Sequence, residues 1–213
     1  DPDYDKKYKE NVLIKRDNVI NRTSSFLTYN ELKILGASQK EKEEYFEERT
    51  KKHIELVKKY CKIIKEKFPN NFKDILKNSE EHDKSKFLEP ERIPYIEITW
   101  RHKLDNFKSY KTPGLLSKKE ENDATLNHII NNKHHPEYWN KEEANISEKN
   151  RDKSKKPIEV FKMPNIYIAE MVADWCAMSE ELGTEPKDWA DKNIGKRWIF
   201  NEKQKKMIYF LIK

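Results

Sequence analysis

The chain has 213 residues, with 44 Lys and Arg against 38 Asp and Glu, a net charge of +6, 38% charged side chains and only four glycines. Its two widely separated cysteines exclude a disulfide-stapled scaffold and a cysteine-based zinc module, and no apolar run approaches the ~20 residues of a membrane-spanning helix. The basic excess is mild and interspersed with acids, so it marks no specific nucleic-acid groove, although it would help draw an anionic substrate into a cleft.

So high a charge fraction suits disorder. Against that stand five Trp, ten Tyr and nine Phe, set at helical spacings and large enough to close a core. Residues 1–37 are polar with scattered aromatics and read as an N-terminal extension packing on a domain of residues 38–213. A helix opens at Ser38, which with Glu41 has capping-box spacing. Its inner stripe runs Phe46, Thr50, His53, Val57, Tyr60, Ile64 and Phe68, and Pro69 ends it. A second helix carries Phe72, Ile75, Leu76 and Ser79 and brings His82 and Asp83 to its inner side. A third begins around Pro94 and continues through Ile96, Trp100 and Leu104.

The stretch from Tyr110 to Asn122 reads as loop, with a turn at Pro113-Gly114. Asp123 is the expected N-cap of a short helix through Leu126, Ile129 and Ile130. After His134-His135, Pro136 biases its predecessor away from helix. The polar, charged run between 140 and 160 reads as a mobile loop or lid. Pro164 suits the first turn of a strong helix with an inner stripe of Tyr167, Met171, Asp174, Met178 and Leu182, closed by Gly183. Asn201 and Gln204 open a last helix presenting Met207, Ile208 and Leu211. No strand-like alternation persists, so the expected fold is an all-α bundle with uneven connections. Cys61 and Cys176 read as small buried hydrophobes of a reducing compartment. With no signal peptide visible, a cytoplasmic protein is expected.

Polar groups on apolar stripes are the informative anomaly, because burial without a partner costs free energy. His53 sits among Phe46, Val57 and Tyr60, His82-Asp83 follows the second stripe, and Asp174 lies between Met171 and Met178. Each has a structural explanation alone: a core histidine held by a hydrogen bond, or an aspartate paired with a lysine. Together their order resembles the ligand order of the HD-domain superfamily, a His, a His-Asp pair and a distant Asp, here with 29 residues between His53 and His82 and 91 between Asp83 and Asp174. The string His82-Asp83-Lys84-Ser85-Lys86 is similar to the His-Asp-x-Gly-Lys run of several members, with Ser85 in place of Gly. Further similarity to an uncharacterised HD-like family lies in His82 to Phe87, His134 to Trp139 and Glu170 to Trp175.

The resemblance implies an HD-domain-like helical bundle with one or two divalent transition metals (Mn, Fe, Co, Ni or Zn). His53, His82, Asp83 and Asp174 would hold the first ion, with Asp83 bridging. His128 and either His134 or His135 would hold the second. On a helix continuing past His128, His135 would lie two turns on along the same face. Asp83 and Lys86 are the expected catalytic groups, Lys86 facing a phosphate. Glu170 and Glu137 are candidates to brace a ligand, and His102 reads as structural. The implied activity is hydrolysis of a nucleotide or another small phosphate ester. The same ligand pattern also serves di-iron HD oxygenases, and a non-catalytic binding scaffold is the third reading.

Overall fold

Ser38 opens the first helix: its hydroxyl accepts from Glu41 N–H at 3.2 Å while Glu41 Oε2 accepts from the Ser38 N–H at 2.7 Å, satisfying two of the amide donors that a helix start leaves orphaned. The structure, a computed structural model, describes residues 37–107, 116–146 and 156–213. Helix α1 spans Gln39–Lys67 and buries Phe46, Thr50, His53, Val57, Cys61 and Ile64 along one stripe. Tyr60 and Phe68, expected on that stripe, are half-buried at its edge.

Helix α2 (Ile75–Glu81) is short, and buries Ile75 and Ser79 while Leu76 faces solvent. It stops because Asp83 takes a left-handed conformation, φ 57, beyond which Lys84–Phe87 form one 3-10 turn. Aspartate tolerates that region better than most side chains. Helix α3 (Arg92–Phe107) starts two residues before Pro94 and buries Ile96, Trp100 and Leu104.

Helix α4 (Lys118–Asn131) corrects the expected start at Asp123. Ser117 and Glu120 form the capping box, and the expected loop up to Asn122 is helical from Lys118 onward. The periodic apolar signal begins only at Ala124, so the polar first turn was invisible to it. The Pro113-Gly114 turn lies outside the described residues, as does the extension except Ala37. Pro136 heads a 3-10 turn, Pro136–Asn140, and helix α5 (Lys141–Ile146) follows directly. The first part of the expected mobile loop is therefore helical, and residues 147–155 lie outside the described residues.

Strand β1 (Ile158–Glu159) precedes helix α6 (Asn165–Leu182), for which Pro164 is the N-cap and Gly183, φ 65, the left-handed C-cap. Helix α7 (Pro186–Asn193) and strand β2 (Trp198–Ile199) had no counterpart in the periodic reading. The two-residue strands pair in parallel, Ile158 with Trp198 and Glu159 with Ile199. Helix α8 (Glu202–Ile212) starts at the Asn201–Gln204 capping box.

The described residues thus form an all-α bundle of eight helices with one minimal ladder. Helix α6 is its spine. It packs most extensively on α1 and also touches α2, α7 and α8. Ile168 to Ala173 is buried without a break, consistent with a helix walled on several sides. No described helix is long and apolar enough to cross a membrane.

One buried ion pair ties α1 to α3: Lys42 Nζ lies 2.8 and 2.9 Å from the two Glu97 carboxylate oxygens, with both residues nearly sealed from solvent. Breaking such a pair leaves an uncompensated buried charge. Lys42→Met is therefore expected to cost about 3–5 kcal/mol in denaturant unfolding, and adding Glu97→Met to recover most of that loss. Equal stability of the wild type and Lys42→Met would contradict this account.

Candidate metal centre

Five histidines and two aspartates from four parts of the chain meet between α1 and α6. His53 comes from the middle of α1 and Asp174 from the middle of α6. His82 and Asp83 form the corner after α2, where the left-handed turn at Asp83 lets two consecutive side chains enter one cluster. His128 comes from the last turn of α4. That helix ends at Asn131, so His134 and His135 arrive on the following turn rather than on a continuing helix. The turn is fixed by His135 N–H donating to Asn132 O at 3.0 Å and Trp139 Nε1 donating to Lys133 O at 3.0 Å.

His53 Nε2 lies 3.0 Å from Asp174 Oδ1. Asp83 faces two ways. Its Oδ2 is 3.9 Å from both His53 Nε2 and His82 Nε2, while its Oδ1 is 3.1 Å from His128 Nε2 and 3.6 Å from His134 Nε2. Ligating atoms fall into overlapping groups within 4.8 Å: Asp83 with His128, His134 and His135; His53 with His82 and Asp83; His82 with His134 and Asp174. Both His134 and His135 therefore reach the cluster.

Three histidines hold a carboxylate at the far ring nitrogen. His53 Nδ1 lies 3.2 Å from Glu181, His82 Nδ1 3.1 Å from Glu170 and His128 Nδ1 2.7 Å from Glu91. With Nδ1–H donated to these carboxylates, each Nε2 would be free to offer its lone pair to a cation in place of a proton, as a metal-binding imidazole requires. Glu170 was anticipated. Glu181 had a readable signal, since Glu170, Asp174 and Glu181 share one face of α6 at spacings of four and seven. Glu91 had none, because it lies in the irregular segment before α3. Ser85 and Asn127 donate to Glu91 and fix it in turn.

Glu137 does not brace a histidine. It is buried, accepting from Arg197 at 2.8 and 3.1 Å and from Trp198 Nε1 at 2.9 Å, and so fastens the turn after α4 to the β2 segment. Lys86 reaches the cluster, its Nζ 2.5 Å from Asp83 Oδ2 and above the Tyr95 ring. His102 is exposed beside Arg101 and stands apart from the cluster.

Burial alone would raise the Asp83 carboxyl, but Lys86, His82 and His128 hold it well below the usual range. Burial works likewise against the charge on Asp174, which His53 nevertheless brings down to about 2. Burial opposes protonation of His53, yet Asp174 and Glu181 raise it to about 9. Burial and the neighbouring imidazoles keep His134 and His135 well below the ordinary histidine value.

The donor set fits a divalent metal on one further observation. His82 Nε2, Asp83 Oδ1, His128 Nε2 and His135 Nε2 are buried with no hydrogen-bond partner, although they lie close together. His128 Nε2 and Asp83 Oδ1 approach to 3.1 Å without hydrogen-bond geometry. Orphaned buried polar atoms each cost about 1–3 kcal/mol, and a shared cation offsets several at once. Imidazole with carboxylate suits Mn, Fe, Co, Ni or Zn.

Residues 42–213 match the Family of unknown function (DUF5662). The chain belongs to that family. The matched span includes the whole cluster, from His53 to Glu181. A search of the curated proteins found no match, and a search of the solved structures found none.

The titration pattern fixes how chelator-treated protein responds to pH. His53, raised to about 9, contributes stability that is present below the ordinary imidazole value of about 6.5 and lost as pH rises toward 9. His134 and His135, held neutral, act oppositely: below about 6.5 the unfolded chain takes up protons that the folded one refuses. Stability of the metal-free protein is expected to peak near neutrality, with midpoints in denaturant falling on both sides. A midpoint still climbing at pH 9 would contradict this assignment.

Proposed function

We propose that this protein is a metal-dependent phosphohydrolase of the HD-domain type, acting on a small phosphate ester. The observation that carries the reading is Asp83, whose Oδ2 faces His53 and His82 while its Oδ1 faces His128 and His134, an arrangement that would suit a ligand shared by two ions. His53, His82, Asp83 and Asp174 would hold one ion, and Asp83, His128, His134 and His135 the other. Such ions supply Lewis acidity toward phosphoryl oxygens and an activated water.

The chain's own groups divide the remaining work. Glu181, Glu170 and Glu91 fix the tautomers of His53, His82 and His128 and so aim their Nε2 atoms. Lys86, beside Asp83 and one-fifth exposed, is placed to offset the charge of an incoming phosphate. The sealed surroundings of His82, His128 and His134 keep bulk water from the inner side of the cluster and strengthen the electrostatic interactions there.

Elemental analysis of protein purified without chelator tests this directly. About two Mn, Fe, Co or Ni per chain are expected. Asp83→Asn, which keeps the shape and removes the charge, is expected to lose bound metal and at least about a hundredfold in phosphate release from p-nitrophenyl phosphate. A folded wild type that takes up no metal, or hydrolysis unchanged by its removal, would refute the reading. Iron with oxygen uptake and no phosphate release would favour the oxidative chemistry that similar ligand sets support.

A further inference from the structure

Among the described residues the cluster meets solvent at two places, at Lys86 beside Asp83 and at Asp174. The side chains of His53, His82, Asp83, His128 and His134 are at most 6% exposed, whereas that of Asp174 is 17% exposed. Asp174 and the half-buried His135 both line a cavity of about 220 Å³ between α6, α7 and the β2 segment. Ser179, Thr184 and Arg197 also line it, but apolar side chains dominate, with Trp175, Met178, Leu182, Trp189 and Trp198 prominent. Trp175 and Trp198 stack with rings 14° from parallel. Leu182 and Trp189 are 60% and 40% exposed at its rim. Large apolar side chains left in water beside a cavity mark a place where something apolar binds.

The charge of this wall matters as much as its shape. Among the described residues, Arg197 is the single Lys or Arg lining it. The buried Glu137 carboxylate neutralises it, and its guanidinium lies 4.4 Å from the Trp198 ring centre. The wall therefore offers no uncompensated cation to a polyphosphate. A dry apolar cavity of roughly 150 Å³ admits benzene, so this one takes a single ring with a short substituent.

We propose that this cavity is the subsite for an uncharged aromatic ring on the substrate, which enters between Trp175, Met178 and Trp198 and directs its one anionic group past Asp174 and His135. This rests on the metal-centre reading. It narrows the substrate class to a monoester with a ring-bearing, uncharged body, and disfavours nucleoside polyphosphates.

Two measurements separate this inference from the reading beneath it. The first needs no metal: ligand-observed NMR of 4-methylphenol with the chelator-treated full chain. Saturable binding is expected, about tenfold weaker in Met178→Trp, which fills the cavity, and weakened too in Leu182→Glu, which alters only the exposed rim. The second compares metal-loaded hydrolysis of phenyl phosphate and methyl phosphate. The ring is expected to raise kcat/KM by about tenfold or more, and both variants to erase that preference without loss of bound metal. Ring binding without any hydrolysis would support the subsite and sink the phosphohydrolase. Hydrolysis without ring binding or ring preference would overturn the subsite and leave the phosphohydrolase standing. Binding unchanged in both variants would overturn the subsite as well.

Discussion

A carboxylate withdrawn from water sets the terms for the centre of this protein. Asp83 is 2% exposed, and removing such a charge from solvent costs several kcal/mol unless cations or hydrogen bonds replace the lost hydration. The chain answers with Lys86 at 2.5 Å and imidazoles on both carboxylate oxygens. Those imidazoles are buried as well, so three of them require carboxylates behind them. Compensation spreads outward in layers until it reaches Arg49 on Glu181 and Ser85 with Asn127 on Glu91. Much of the buried polarity between α1, α4 and α6 follows from that one withdrawn charge.

Helix α6 carries the largest share. Glu170, Asp174 and Glu181 fall on one of its faces, while Ile168, Ala169, Val172 and Ala173 fill the apolar surroundings. Small residues let α1 approach closely enough for His53 to reach Asp174. The same helix presents Met178 and Leu182 to the cavity. Polar chemistry and apolar lining thus lie side by side on one rigid element, which positions groups more accurately than a loop does.

Sequence reasoning reached the parts governed by periodicity. Helices α1, α6 and α8 were legible from their stripes and their Ser38, Gly183 and Asn201 caps. On the expected inner stripe of α6, however, Leu182 is exposed and Tyr167 and Met178 are half-buried, because the part of α6 that is buried without a break is Ile168 to Ala173. His53 and Asp174 were conspicuous as polar residues on apolar faces. What stayed hidden obeys no period. The polar first turn of α4 carries almost no apolar residues, α5 is short and charged, and the Ile158–Trp198 pairing is too brief to alternate. Glu91 lies outside any helix, and its role depends on a corner that only the folded chain defines. Glu137 was noticed for its neighbours His134 and His135, yet its partners Arg197 and Trp198 come from some sixty residues downstream. The proposed HD-domain resemblance rests on motif order alone, and the family to which the chain belongs has no known function.

The spread of the cluster along the chain also governs the order of assembly. His53, His82, Asp83 and His128 are synthesised well before Glu170, Asp174 and Glu181. Until α6 is available, sealing the earlier groups would strand two histidines without acceptors, so that half of the protein gains little by collapsing on its own. Closing the long connection from α1 to α6 costs only slowly growing entropy, and docking α6 repays it with both an apolar spine and the missing charges. The centre is complete only once α6 is in place, since Asp174 and the carboxylates behind His53 and His82 all lie on it. A ribosome paused before residue 165 would hold a polypeptide with its helices sketched and its centre still wet.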